Sequence, residues 1–147
     1  LTAMGVKTAF LIKKEAFVFP LNYLLRACGA HPVNRQNPRH FMEDTLSILK
    51  NNKEIALLIS PEGTRKKVTK WKRGFYTIAT QANVPIVLGY LDYVSRKGGV
   101  GKVIYPTGNY EEDLVEIEKF YYGMRGRFPG KFNLEDKPYA HPEWLEK

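Results

Sequence analysis

The chain has little cysteine, a shortage of acidic residues relative to basic ones, and no long hydrophobic run. Cys28 is the only cysteine among 147 residues, which excludes an internal disulfide and a cysteine-based metal cluster, and we expect no metal site. The most apolar region, residues 16–30, is interrupted by Pro20, Asn22 and Arg26. It falls short of the roughly 18 apolar residues that a membrane-spanning helix needs.

The charge is unbalanced in the basic direction. Lys and Arg number 23 against 15 Asp and Glu, a formal net charge of +8. Such a surplus favours an anionic partner: nucleic acid, an acidic lipid surface or a phosphorylated small molecule. The charge by itself does not choose among these three classes.

The length and the first residue bear on domain organisation. A chain of 147 residues with 44% hydrophobic residues predicts one domain, residues 1–147, with a real core. The chain opens at Leu1, without a methionine, in sequence that reads like the inside of a domain. We therefore expect that this domain lacks its N-terminal part.

Short apolar runs alternate with segments of helical periodicity. Strands are predicted over residues 7–14, 54–60, 84–93 and 101–108, with a short extended piece at 30–35 and a glycine-rich turn at 95–101. Helices are predicted over 20–29, from Asn37–Pro38 onward, over 74–83, and after Asn109, and an irregular tail follows residue 125. This order predicts an α/β fold: a three-layer domain with a mixed, largely parallel central sheet flanked by helices.

The segment LLISPEGTRKK, residues 57–67, runs from a predicted strand straight into polar residues. Backbone N–H groups at Gly63 and Thr64, with Arg65 beside them, make a compact anion site, because the planar fork of arginine suits phosphate. The alternative is a surface turn in which Glu62 and Arg65 form an ion pair. The segment is not a Walker loop, since the Gly-Lys-Ser/Thr ending is absent.

Two features near this segment strengthen the phosphate interpretation. Arg35 closes another short extended piece, so two arginines at the ends of separate strands can converge on one phosphate. A cationic run also follows the loop, although a solvated face is the usual meaning of such a run; it comprises Lys66, Lys67, Lys70, Lys72 and Arg73, interleaved with Trp71.

Four blocks in order resemble the glycerolipid acyltransferase family that contains 1-acylglycerol-3-phosphate acyltransferases. They are IKKEAFVFPLNYLLRACGAHPVNR, ISPEGTRKK, KWKRGF and VPIV, and the resemblance covers roughly residues 10 to 105. The second block departs from the usual Phe-Pro-Glu-Gly-Thr-Arg by having Ser60 in place of phenylalanine. The resemblance implies the glycerol-3-phosphate acyltransferase-like form of the α/β fold.

The resemblance also implies roles for individual residues. Arg35 and Arg65 would bind the phosphate of the acyl acceptor, and Glu62, the one catalytic residue assigned within this chain, would shape that site with Gly63. Thr64 would also bind substrate, as would Lys72, which belongs to the lysine-x-glycine that follows. The acyl or substrate-proximal wall would be formed by Val84, Pro85 and Ile86. The implied reaction needs no cofactor: it transfers an acyl group from a co-substrate, acyl-CoA or acyl carrier protein, to a free hydroxyl of a lysophospholipid, 1-acylglycerol-3-phosphate.

The family's general base is missing from this chain. The family uses a histidine, four intervening residues and an aspartate, and none of His31, His40 and His141 has an aspartate at that offset. His40 and Asp44 are separated by three residues and follow Arg35, the wrong order, so we interpret them as surface residues. We expect the dyad to lie upstream of Leu1 and the recorded chain alone to be inactive.

Two rival interpretations stay open. One is a non-catalytic lipid- or phosphate-binding relative. The other is a nucleic-acid-binding module that uses the cationic run with Trp71, Phe75 and Tyr76, although no groove-reading motif is recognisable, and we expect no nucleic-acid partner. The acyltransferase interpretation implies a cytoplasmic protein that binds peripherally to the anionic inner face of the cell membrane.

Overall fold

The computed structural model describes residues 7–33, 37–52, 54–64, 66–128 and 130–138. The chain divides into two compact units, residues 1–60 and residues 61–147. Each unit has a sheet and buried residues of its own. That both units belong to one domain stays a prediction.

The first unit is a parallel sheet with helices packed against it. Its strands are β1 (Lys7–Lys13), β2 (Ala30–Val33) and β3 (Ile55–Leu58), in the spatial order β2-β1-β3. Helices α1 (Leu21–Ala27) and α2 (Pro38–Asn51) connect successive strands, and both pack against β2. A helix between parallel strands is the usual crossover. The α/β class with a largely parallel central sheet is confirmed.

Helix α2 begins where its sequence predicts. The side-chain oxygen of Asn37 accepts hydrogen bonds from the backbone N–H groups of Arg39 (3.0 Å) and His40 (3.3 Å), which supplies partners for two of the first amides of the helix. Thr45 is fully buried on the inner face of α2, and its hydroxyl donates to the carbonyl of Phe41 at 2.6 Å.

Strand β3 is less buried within this unit than its apolar sequence predicts. Ile55, Ala56 and Leu57 are half-buried, and Leu58 is 61% exposed. The physical reason is position: β3 lies at the edge of the three-stranded sheet, and β1 occupies its centre. Accordingly, β1 alternates between the buried side chains of Ala9 and Leu11 and less buried ones.

The second unit is built around an antiparallel hairpin. Its elements are α3 (Gly74–Ala82), β4 (Ile86–Asp92), β5 (Lys97–Ile104) and α4 (Tyr110–Tyr121). β4 and β5 pair in antiparallel register with an irregularity between Val87 and Gly89. The second unit therefore has an antiparallel sheet of its own, whereas the sheet of the first unit is parallel.

The glycine-rich segment 95–101 is not the turn that its composition predicts. The turn is residues 93–96, and β5 already begins at Lys97. Arg96 takes the left-handed conformation of the turn (φ 55°), and the glycines that follow it lie in β5. They fit there because neighbouring side chains lie where a Cβ would be: Leu91 against Gly98, and Phe120 against Gly101.

The core of the second unit combines the hairpin, α4 and the segment after it. Buried residues from these parts form one cluster: Trp71, Leu88, Ile104, Ile117, Phe120, Met124 and Leu134. The segment after α4 has no helix or strand over residues 122–128 and 130–138, which confirms an irregular tail packed on the fold. Leu134, 4% exposed, anchors it, and its carbonyl accepts from the Gly123 N–H at 3.1 Å.

Candidate functional site

The loop Pro61–Lys72, which we call the motif loop, brings Gly63 and Lys72 together. The N–H of Lys72 donates to the Pro61 carbonyl at 2.8 Å, which closes the loop. Gly63 has φ +64°, a left-handed conformation that glycine adopts without strain. A Cβ at Gly63 would lie 2.9 Å from Cδ and 3.0 Å from Nζ of Lys72. The ammonium group therefore lies directly against the Gly63 backbone.

The motif loop is open to solvent. Gly63, Thr64 and Lys72 are exposed, and the Thr64 hydroxyl accepts a hydrogen bond from the Lys66 N–H at 3.2 Å. Within the described residues, Lys72 takes part in no ion pair. A cation held against a glycine backbone and left without a carboxylate partner is suited to an anionic ligand.

Glu62, next to Gly63, lines a cavity of about 330 Å³. Its side chain is half-buried, and this burial raises the pKa of its carboxyl group above the ordinary value. The other lining residues come from β4, the end of α4 and the tail: Gly89, Tyr90, Leu91, Tyr121, Met124, Arg125, Gly126, Arg127, Phe128, Lys131 and Phe132. Glu62 thus connects the motif loop to a concave surface that combines cationic and aromatic side chains.

The cations of this cavity escaped the sequence analysis. Arg125, Arg127 and Lys131 belong to the segment that composition marks only as an irregular tail. The available signal was the stretch MRGRFPGKF, in which three cations alternate with glycine and phenylalanine. The strand-and-motif pattern gave no reason to place this stretch beside Glu62, which lies more than 60 positions earlier in the sequence.

Arg35 and Arg65 lie outside the described residues. The first unit nonetheless fixes where the strands before them end. β2 and β3 both run parallel to β1, with Val33 aligned to Lys13 and Leu58 aligned to Phe10. Strands β2 and β3 thus flank β1, and all three run in the same direction. That Arg35 and Arg65 meet at one phosphate stays a prediction.

The three residues predicted as an acyl-side wall are spread over a turn and a strand. Val84 is half-buried, and its N–H donates to the Ala79 carbonyl (3.0 Å) at the end of α3. Pro85 is exposed, and Ile86 is half-buried and packs on the core of the second unit. The described residues that line the Glu62 cavity do not include them. Their role as a substrate wall stays a prediction.

The aromatic residues of the cationic run are structural. Trp71 is 8% exposed and packs edge-to-face on Tyr121 with ring centroids 5.6 Å apart, and Tyr76 is 5% exposed. Arg73 stacks over the ring of Tyr110 at 4.3 Å and pairs with Glu111 at 3.6 Å. These contacts remove the stacking surface that the nucleic-acid interpretation requires, because Trp71 and Tyr76 are buried.

A buried carboxylate in α4 was not anticipated. Asp113, 6% exposed, accepts from the Tyr76 hydroxyl at 2.6 Å and from the Thr107 N–H at 2.8 Å. Burial alone would raise the pKa of Asp113, but the hydrogen bonds from Tyr76 and Thr107 outweigh it and lower the pKa. The signal was its helical spacing from Tyr110 and Ile117, both buried. Asn109 is the N-cap residue of α4, and its side chain makes no cap hydrogen bond.

A second buried carboxylate fixes the start of the tail. Asp92, 2% exposed at the end of β4, accepts from the Arg125 N–H at 3.0 Å and from the Ser95 hydroxyl at 2.6 Å. The Tyr93 N–H in turn donates to the Arg125 carbonyl at 2.9 Å. Burial opposes ionisation of Asp92, but the hydrogen bonds that its carboxylate accepts from Ser95 and Arg125 outweigh burial, and the pKa of Asp92 is lowered. The hairpin thereby holds the cation-bearing segment in place.

Comparison with known proteins bears on the motif loop. A family model described as Acyltransferase matches residues 1–90. The chain belongs to the acyltransferase family. The match contains the motif loop and ends before β4 is complete, so Arg125, Arg127 and Lys131 lie outside it. The predicted membership is confirmed.

Two curated relatives carry the same type of name. A chloroplastic 1-acyl-sn-glycerol-3-phosphate acyltransferase of Brassica napus is 30% identical over 137 residues, covering 85% of this chain and 37% of the relative. A 1-acyl-sn-glycerol-3-phosphate acyltransferase of Cocos nucifera is 35% identical over 86 residues, covering 54% of this chain and 28% of the relative. The chain thus spans between a quarter and two fifths of these acyltransferases. No solved structure matches it significantly.

The described residues hold few other candidate sites. His40 and Asp44 are both exposed on α2, in agreement with a surface role. Within the described part of the chain, no group of three or more His, Cys, Asp and Glu side chains is placed to hold a metal ion. Of the helices in that part, none is both long and apolar enough to cross a bilayer.

Proposed function

We propose that this chain forms the substrate-binding part of an enzyme that acylates a lysophospholipid, 1-acylglycerol-3-phosphate. The observation that carries the proposal is the motif loop, where the Lys72 ammonium lies beside Gly63 and forms no ion pair with the described residues. Membership of the acyltransferase family and the names of both relatives support it. An acceptor with a phosphate group needs such an anion site, whereas a neutral acceptor does not.

In the proposed reaction, the free glycerol hydroxyl attacks the carbonyl carbon of an acyl thioester. The new C–O bond forms, the C–S bond breaks, and the thiol leaves with the proton that the hydroxyl gives up. A general base is needed to take that proton first. The family's base is a histidine with an aspartate five positions later, and this sequence contains no such pair. We therefore expect no activity from these 147 residues alone.

The chain's own residues act on binding and orientation. Lys72 and the N–H groups of the motif loop bind the acceptor phosphate, with Arg35 and Arg65 as the two guanidinium ligands. Fixing the phosphate places the hydroxyl on the neighbouring carbon at a defined distance from the thioester, and such positioning is a large part of catalysis. The donor is acyl-CoA or acyl carrier protein, which acts as a co-substrate, and no cofactor takes part.

The decisive experiment is Arg65→Lys in the protein that includes the catalytic dyad, with acceptor and donor varied separately. Lysine keeps the charge but loses the paired hydrogen bonds of arginine, so kcat/KM for the acceptor should fall roughly 10- to 150-fold, equivalent to about 1.5–3 kcal/mol. The donor KM should change little. Thermal melting checks that the variant folds, and an unchanged acceptor dependence would show that the loop is only a turn.

We further propose that the protein acts at the cytoplasmic, anionic inner face of the cell membrane, where its substrate resides. The net charge of +8 and the exposed Lys66, Lys67 and Lys70 support this location. Each cation near an acidic bilayer contributes about 1 kcal/mol. Sedimentation with acidic vesicles should decline at high salt and exceed sedimentation with neutral vesicles; equal binding to both vesicle types contradicts the proposal.

A further inference from the structure

The cavity beside Glu62 has the composition of a site for an anion with an apolar part. Among the described residues that line it, three are cations, Arg125, Arg127 and Lys131, and one, Glu62, is acidic. None of the three cations is among the ion pairs of the described residues. The cavity therefore carries an uncompensated positive charge next to aromatic walls.

Two of these cations converge on one aromatic ring. The Arg127 guanidinium lies 5.6 Å and the Lys131 ammonium 4.9 Å from the ring centroid of Phe128, which is 57% exposed. These cation–π contacts place both charges near Phe128.

The segment that bears these cations is fixed at both ends. Asp92 accepts from the Arg125 N–H at 3.0 Å, and the buried Leu134 accepts from Gly123 at 3.1 Å. Between them the Lys131 N–H donates to the Phe128 carbonyl at 3.3 Å. The hydroxyl of Tyr121, which lines the cavity, donates to the Gly89 carbonyl at 3.0 Å. A pre-organised site loses less entropy when a ligand binds.

We propose that this cavity, which we call the tail cavity, binds the phosphate-bearing end of the lysophospholipid acceptor through Arg127 and Lys131. The inference rests on the proposed function and extends its phosphate site beyond the motif loop, into a segment that the family model does not cover. Glu62 joins the two, since it lines the tail cavity and precedes Gly63 in the loop.

The chemistry of the two substrates favours the acceptor over the donor as the ligand. The acceptor's phosphate is on the carbon next to the hydroxyl that reacts, so a phosphate site must lie close to the reaction. A CoA thioester carries its phosphates at the far end of a long pantetheine arm. A cavity of about 330 Å³ is at the small end of ligand sites and suits a glycerol phosphate head with the first part of its chain.

The charges within the tail cavity define the expected orientation. Phosphate is attracted to Arg127 and Lys131 and repelled by the carboxylate of Glu62. A glycerol hydroxyl, in contrast, can donate a hydrogen bond to Glu62. The phosphate is therefore placed between the cations of the motif loop and those of the tail cavity, with the hydroxyl toward Glu62.

The test compares two double variants that remove the same charge. Arg127→Gln with Lys131→Gln removes the two cavity cations and keeps most of their apolar stems. Lys97→Gln with Lys119→Gln removes two exposed cations that do not line the cavity. Phosphorus NMR titration with glycerol 3-phosphate, and a parallel titration with CoA, measures binding without requiring turnover.

The cavity variant should bind glycerol 3-phosphate roughly tenfold more weakly than the unchanged protein, as expected for lost charge-assisted hydrogen bonds at a partly solvated site, while the control variant binds it normally. CoA binding should be equal in both. Unchanged glycerol 3-phosphate binding in the cavity variant overturns the proposal, and so does a loss confined to CoA.

This outcome is separable from that of the proposed function. If Arg65→Lys leaves the acceptor dependence unchanged but the cavity variant loses glycerol 3-phosphate, the motif-loop assignment fails and the tail cavity stands. If Arg65→Lys weakens acceptor use and the cavity variant binds normally, the motif loop stands and the tail cavity is wrong.

Discussion

Two polar clusters of the second unit are built in opposite ways. In the cluster around Asp113, a buried carboxylate accepts from Tyr76 and Thr107, and the Tyr76 hydroxyl in turn accepts from the Gly108 N–H at 3.0 Å. In the motif loop, Gly63, Thr64 and Lys72 are exposed, and Lys72 has no ion-pair partner among the described residues. Satisfied buried groups stabilise a fold, whereas exposed and uncompensated charges are available to a ligand.

The comparison shows that the hydrogen-bond and ion-pair partners of a charged cluster must be known before a function is assigned to it. The pKa of Asp113 is lowered, a perturbation that often marks an active site, yet its hydrogen bonds with Tyr76 and Thr107 tie α4 to α3 and to the loop before α4. The motif loop, in contrast, has exposed polar residues and lies within residues 1–90, which the family model matches. We therefore assign stability to the first cluster and keep binding by the second as our proposal.

The largest expected effect tests whether the Asp113 cluster stabilises the fold. Asp113→Ala leaves the Tyr76 hydroxyl and the Thr107 N–H without their buried acceptor, at a cost of about 2–4 kcal/mol in the free energy of unfolding. The melting temperature should fall by roughly 10 °C. Glu112→Ala, at the exposed neighbouring position, is the control and should shift it little. If Asp113→Ala were as stable as the Glu112→Ala control, Asp113 would not be structural.

A smaller effect tests whether the motif loop binds the acceptor. Gly63→Ala forces alanine into a left-handed conformation and pushes its Cβ against the Lys72 side chain. We expect acceptor kcat/KM to fall about tenfold, close to the loss of one charge-assisted hydrogen bond.

The matched control for Gly63→Ala is Gly108→Ala. Gly108 also has a positive φ, +98°, but nothing lies within 4 Å of its added Cβ. Both variants carry backbone strain of about 1–2 kcal/mol, which thermal unfolding measures. Only the Gly63 variant should lose acceptor use in steady-state kinetics; a similar loss in both would assign the effect to strain instead of Lys72.

The smallest expected effect is on the stability of the protein at acidic pH. The pKa values of Asp113 and Asp92 are lowered in the folded protein, so both carboxylates stabilise it above their unfolded pKa, about 4, and this contribution is lost as the pH falls through the folded values. The free energy of unfolding, measured with denaturant from roughly pH 6 to pH 3 so that the range includes the unfolded pKa, should decrease as the pH is lowered. Asp113→Asn should flatten the slope, and an unaltered slope would contradict the pKa assignment.

Local patterns explain why much of the fold was predictable. The start of α2 depends on Asn37 and Pro38, which lie at the helix itself, and the Asn37 side chain bonds only two and three residues ahead. The parallel strands β1, β2 and β3 follow from apolar runs alternating with helices. The turn of the hairpin was misplaced because composition shows glycines, but only packing shows that Leu91 and Phe120 require them in the strand.

The sequence by itself determined the family, the motif loop and the alternation of strands and helices, because each depends on residues close together along the chain. The tertiary structure alone decided which charged groups are buried, that Trp71 belongs to the core, and that the tail cations share a cavity with Glu62. These outcomes depend on contacts across long separations, such as the 37 positions between Tyr76 and Asp113. Burial and charge compensation arise only when such distant segments pack together, so no local pattern can specify them.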